Sequence, residues 1–194
     1  MNKNYFRNPL EAQKYVISLI TDGKCIPGIY RQNKKADGII NKCDESVCAC
    51  RVPDDIVAET SDGETKSIKK GGYIVFFEHK IWVFDEDEFN EEYTDVTKTD
   101  GFYDYYLENK ENCFIPEEKF VKYYGIGGFA INADSEVLED FSLDMLVIIN
   151  AVFNLYTAYQ EKILEQLDRE IHSLTDDDQD LIDTVIAMSN SESE

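Results

Sequence analysis

The stretch from Ser142 to about Ser173 constrains this chain more than any other. Ser142 is a good N-cap residue, and the helix it opens is longer than a usual globular one. Its first half, Leu143 to Tyr156, is apolar nearly all round, which predicts burial on more than one side. Asp144, Asn150 and Asn154 interrupt that half, and it falls short of the roughly 20 residues that a bilayer core demands. Its second half keeps a stripe at Tyr156, Tyr159, Ile163, Leu167, Ile171 and Leu174. Gaps of three and four are the spacing of a seam, for a partner helix or for a second copy of the chain. Thr175-Asp176-Asp177-Asp178 caps a further helix with Leu181, Ile182, Val185 and Ile186 on one face. A helical hairpin over 141–189 follows, with a frayed tail over 190–194.

The rest of the chain reads differently, which makes the fold class α+β. Asn8-Pro9-Leu10-Glu11 starts a helix with a cap, a first-turn proline and a capping-box acid; Asp22-Gly23 ends it. From Cys25 to Phe84 the runs are short, aromatic and β-branched, and Asp62-Gly63 sits between two of them as a hairpin turn. A small antiparallel sheet or partial barrel is expected there. Asp85-Glu86-Asp87-Glu88 then opens a short helix, as acids in a first turn suit the helix dipole. The organisation expected is an N-terminal helix plus small β module over 1–96, an aromatic and acidic α+β middle over 97–140, then the hairpin. Short strands and loops are expected over 97–136, a tract that includes Gly125-Ile-Gly-Gly128.

Charge narrows the function. The chain carries −21 overall. Residues 1–80 hold 13 Lys and Arg against 11 Asp and Glu, whereas residues 81–194 hold 6 against 29. Such a field repels nucleic acid and anionic membranes and attracts basic surfaces of other proteins. Direct nucleic-acid binding and membrane association are therefore not expected. Tyr103, Tyr105 and Tyr106 stand among acids rather than Arg or Lys, which favours a protein partner over a base-stacking platform.

No pattern of residues supplies a catalytic centre. Cys43, Cys48 and Cys50 are the weak candidates for zinc, but their spacing is not that of paired knuckles. The five cysteines are irregularly spaced and follow no signal-like N-terminus, which predicts reduced thiols and a cytoplasmic location. Asp85-Glu-Asp-Glu-Phe89 places Phe where a calcium loop needs an oxygen ligand. His79 falls in a predicted tight turn and His172 near a helix end, so neither has a local signature for nucleophilic catalysis. Neither an enzyme nor a cofactor is expected.

One segment has a familiar outline. Ile68-Lys-Lys-Gly-Gly-Tyr-Ile-Val75, Ile81-Trp-Val-Phe84 and Phe89-Asn-Glu-Glu-Tyr93, within Val57 to Val96, resemble a small β module common in phage and prophage proteins. That module has a Gly-Asp-Tyr/Trp-Ile turn and strand, a hairpin strand, and a Phe-x-x-x-Tyr helical finish. Gly72-Tyr73 lacks its usual Asp, and no Pro precedes Phe89. The resemblance implies a phage or mobile-element origin, hence a host cytoplasm, and carries no catalytic residues.

The expected function is a phage-type acidic accessory protein that binds and inhibits a host macromolecule, with nucleic-acid mimicry against a defence protein as one mechanism. Asp85, Glu86, Asp87, Glu88, Glu91, Glu92 and Asp95 are the candidate contacts, with Tyr103, Tyr105 and Tyr106 as anchors. The alternative is a structural or virion-type assembly protein that oligomerises through Tyr156, Tyr159, Ile163, Leu167 and Ile171.

Overall fold

The computed structural model describes residues 4–33 and 46–172. The chain divides into two units, Met1–Leu155 and Tyr156–Glu194. The first opens with strand β1 (Asn4–Phe6) and helix α1 (Pro9–Thr21). The Asn8 side chain accepts a hydrogen bond from the Glu11 amide, and the Glu11 carboxylate accepts from the Arg7 amide, one residue before the capping-box position. Gly23, at φ 69°, turns the chain out of the helix in the left-handed region that glycine tolerates.

Six strands follow: β2 (Gly28–Gln32), β3 (Ser46–Arg51), β4 (Ile56–Glu59), β5 (Thr65–Ile68), β6 (Tyr73–Phe77) and β7 (Lys80–Phe84). Helix α2 (Glu86–Glu92) runs into strand β8 (Tyr93–Asp95). The strands form two sheets. The smaller has order β1-β4-β5, with β1 parallel to β4 and the Asp62-Gly63 hairpin joining β4 to β5. The larger has order β7-β6-β3-β2-β8 and is antiparallel throughout. The α+β class with small antiparallel sheets therefore holds.

The middle of the chain corrects the sequence expectation. In place of short strands and loops stand helices α3 (Gly101–Cys113), α4 (Glu117–Asn132) and the short α5 (Ser135–Leu138). Aromatic composition suggested strands, but Phe102, Tyr103 and Tyr106 in α3 and Phe120 and Tyr124 in α4 form one cluster at helical spacing. Tyr106 stacks on Phe120 with ring centroids 3.9 Å apart. Helix α4 lies on β2, β3 and β6. Its glycines explain how close it lies: a Cβ on Gly125 would overlap the Pro27 carbonyl oxygen, and one on Gly128 would meet Ile29 Cδ1 at 2.6 Å. Phe129 then reaches Phe76 edge-on at 5.1 Å. Helix α4 thus packs on the β module, and residues 97–140 belong to the first unit.

Helix α6 (Leu143–His172) confirms the long helix, and Ser142 Oγ accepts from the Met145 amide. Burial on more than one side does not hold. Ile149 and Val152 are buried, whereas Leu143, Leu146 and Val147 are exposed at 75%, 39% and 60%. Among the described residues, this half of the helix is thus covered along one face only. Tyr156, Ile163 and Leu167 of the expected seam are partly exposed and Tyr156 meets Tyr159 at 6.1 Å. The Ile171 side chain, the final helix over 175–188 and the tail lie outside the described residues. Among the described residues no helix is long and apolar enough to cross a membrane.

Candidate functional site

The two faces of the five-stranded sheet differ in what covers them. Strand alternation sends Cys48, Cys50, Ile74, Phe76, Ile81 and Val83 into the buried core under α1 and α4. The other face carries Tyr30, Val47, Ala49, Tyr73, Val75, Trp82, Phe84 and Tyr93, an aromatic surface. Helix α2 covers part of it with one residue. Phe89 is fully buried, stacks on Tyr73 at 3.9 Å and on Tyr93 at 4.9 Å, and meets Tyr30 edge-on. Burial pushes the Tyr30 and Tyr93 hydroxyls above the ordinary tyrosine pKa, with Glu92 adding to the effect at Tyr93. Beyond Phe89 the surface stays open as a groove of about 260 Å³. Phe77, Trp82, Phe84 and Tyr93 wall it, Val47 and Val75 also line it, and Gln32 supplies an amide.

Helix α2 brings the predicted acids to this face, and their environments separate them into groups. Asp85 and Glu88 form a capping box: the Asp85 side chain caps the backbone at Glu88, and the Glu88 carboxylate accepts from the Asp85 amide. Glu88 also pairs with Lys66 at 2.6 Å, and these bonds hold its carboxyl below the ordinary 4.5. Glu86 pairs with Arg51, whose guanidinium also donates to the Gly71 carbonyl. Asp95 accepts from the Thr97 amide and so shapes the chain after β8. Asp87 and Glu91 are exposed, Glu92 is half-buried, and none has a side-chain partner among the described residues. Among the described residues, only these three of the seven carry a carboxylate without a partner.

The tyrosine anchors need correction. Tyr103 and Tyr106 are 9% and 1% exposed, and each hydroxyl is spent internally. Tyr103 donates to the Glu117 carboxylate at 2.8 Å, which pushes its pKa up, and Tyr106 donates to the Ile115 carbonyl at 2.7 Å. Tyr105 is half-buried. These rings sit on α3 in the α3–α4 cluster, not on the sheet face with α2. Their spacing of three within a helix already carried the signal that they belong to a core. The aromatics that do line an open surface, Trp82 and Phe84, alternate along β7 with buried Ile81 and Val83. That alternation was readable, but which face stays open depends on where α4 packs.

The cysteines also depart from expectation. Cys25 and Cys50 form a disulfide that ties the α1–β2 connection to β3, in place of the reduced thiols expected. Neighbouring positions on adjacent segments bring them together, with Cα atoms 6.5 Å apart. Cys50 is thereby removed as a zinc ligand. Cys48 is a buried thiol that contacts the Gly125 carbonyl at 3.5 Å, and burial pushes its pKa up, which opposes the thiolate that zinc requires. Cys43 lies outside the described residues. Among the described residues no three His, Cys, Asp or Glu side chains converge as metal ligands. His79 occupies the two-residue β6–β7 turn with Glu78.

No protein-family model, curated protein or solved structure matches this chain.

Proposed function

We propose that this chain is a phage-type accessory protein that binds a basic surface of another protein and blocks it, without catalysis of its own. The observation that carries this reading is the charge left over on α2. Residues 85–95 contain seven acids and no Lys or Arg. The nearby cations Arg51 and Lys66 are already neutralised by Glu86 and Glu88. Among the described residues the carboxylates of Asp87, Glu91 and Glu92 therefore have no cation to balance them, and a partner supplying Lys or Arg would. Such contacts speed association and weaken as salt rises. Blocking of a nucleic-acid-binding surface is the form this takes if the partner's basic face is its functional one.

Glu91→Lys/Glu92→Lys tests the locus cleanly. Cations at the C-terminal end of a helix favour its dipole, so the variant should fold at least as well as the parent. Calorimetric titration with a short oligolysine should show binding to the parent and at least tenfold weaker binding to the variant. Equal binding would move the contact off α2 and overturn the reading.

A second reading, assembly through α6, is favoured by one observation. Ile163, Leu164 and Leu167 are exposed at 37%, 65% and 49% on a long helix. Light scattering on dilution decides it: a mass that stays at a multiple of 22.4 kDa supports assembly, and a monomer removes it.

A further inference from the structure

We infer that the groove beside α2 receives a single aromatic or long aliphatic side chain from a cationic segment of the partner. This rests on the acidic-contact reading above and names what the contact recognises.

Size is the first argument. Small-molecule sites commonly span roughly 300–1,000 Å³, and this groove holds about 260 Å³. It is matched to one side chain rather than to a cofactor or nucleotide. Chemistry is the second. Phe77, Trp82, Phe84 and Tyr93 present apolar ring surface, and Gln32 offers one amide for a peptide group. Apolar anchors entering such pockets carry most of the energy of a protein contact.

Charge decides the rest of the occupant. Tyr93 in the wall is followed back along the chain by Glu92 and Glu91, whose carboxylates have no side-chain partner among the described residues. At the other wall Lys66 lies 5.4 Å from the centre of the Phe84 ring while its charge is held by Glu88. The aromatic wall thus already takes one lysine against its face, the geometry expected of cation–π attraction. Lys80, paired across the hairpin with Phe77, is the opposing cation at the β6–β7 end. A segment with its apolar residue in the groove and Lys or Arg toward α2 satisfies both features at once. An anionic or purely apolar segment satisfies one and opposes or ignores the other.

Trp82 makes the test direct, since it is the only tryptophan in the chain. Two fluorescein-labelled heptapeptides serve as probes, each with two lysines at either end and a centre of Gly-Phe-Gly or Gly-Ser-Gly. Binding is followed by anisotropy, and occupancy of the groove by Trp82 emission with the unlabelled peptides. The Phe peptide should bind at least tenfold tighter than the Ser peptide and shift Trp82 emission saturably. Gln32→Arg, at an exposed position, should remove that preference, and Lys80→Glu should tighten the Phe peptide. Equal binding of both peptides with Trp82 emission unmoved would overturn the groove inference while leaving the acidic contact standing. Binding of neither would overturn both.

Discussion

Gly125 stands in the middle of α4 because a side chain there would collide with the Pro27 backbone. A helix-interior glycine costs about 1 kcal/mol relative to alanine, and the close approach of helix to sheet compensates. Gly125→Ala should therefore destabilise the protein by about 3 kcal/mol or more, seen as a lower urea midpoint. Gly128→Ala meets the end of the Ile29 side chain rather than backbone, with Cys48 at ordinary contact distance, and should cost less, about 1 kcal/mol. The reverse order would mean that α4 does not sit as described. Glu88 gives a prediction of a different kind. Its folded-state pKa is depressed by Lys66 and the Asp85 amide, so its contribution is present above about pH 4.5 and is lost as pH falls through the lower folded value. Glu88→Gln should flatten the acid limb of a stability–pH profile below pH 4.5. An unchanged limb would contradict the pairing.

The β6–β7 hairpin closes with Glu78 and His79 at φ 48° and 61°, left-handed backbone that neither residue favours. Asn-Gly suits that two-residue turn, so Glu78→Asn/His79→Gly should raise stability by about 1–2 kcal/mol. Thermal unfolding measures it, and a loss would show that one of these side chains supports the turn. Elements with local signals were legible in the sequence: the Asn8 cap, the Asp62-Gly63 turn, the acidic start of α2 and Ser142 before α6. Helices α3 and α4 were not, because their aromatic content and the three glycines inside α4 argue locally against a helix. What stabilises them is tertiary: the ring cluster forms only between the two helices, and the glycine approach needs β2 in place. The Cys25–Cys50 pairing was illegible for the same reason, since it depends on the α1–β2 connection coming beside β3 in the fold.

At the scale of the whole molecule, the sequence announced an acidic C-terminal portion but not which acids are available. The fold makes that choice. Glu86, Glu88, Asp85 and Asp95 are engaged in holding α2 and its flanks, and Tyr103 and Tyr106 are core. Among the seven acids of residues 85–95, Asp87, Glu91 and Glu92 have no side-chain partner among the described residues, and they lie with the aromatic groove proposed as the contact. The measurement that tests this most directly is affinity capture from a bacterial lysate, with parent and Glu91→Lys/Glu92→Lys proteins side by side at low and high salt. The expected result is a basic protein held by the parent at low salt, shed at high salt, and not held by the variant. A partner retained equally by both proteins, or held unchanged at high salt, would contradict it.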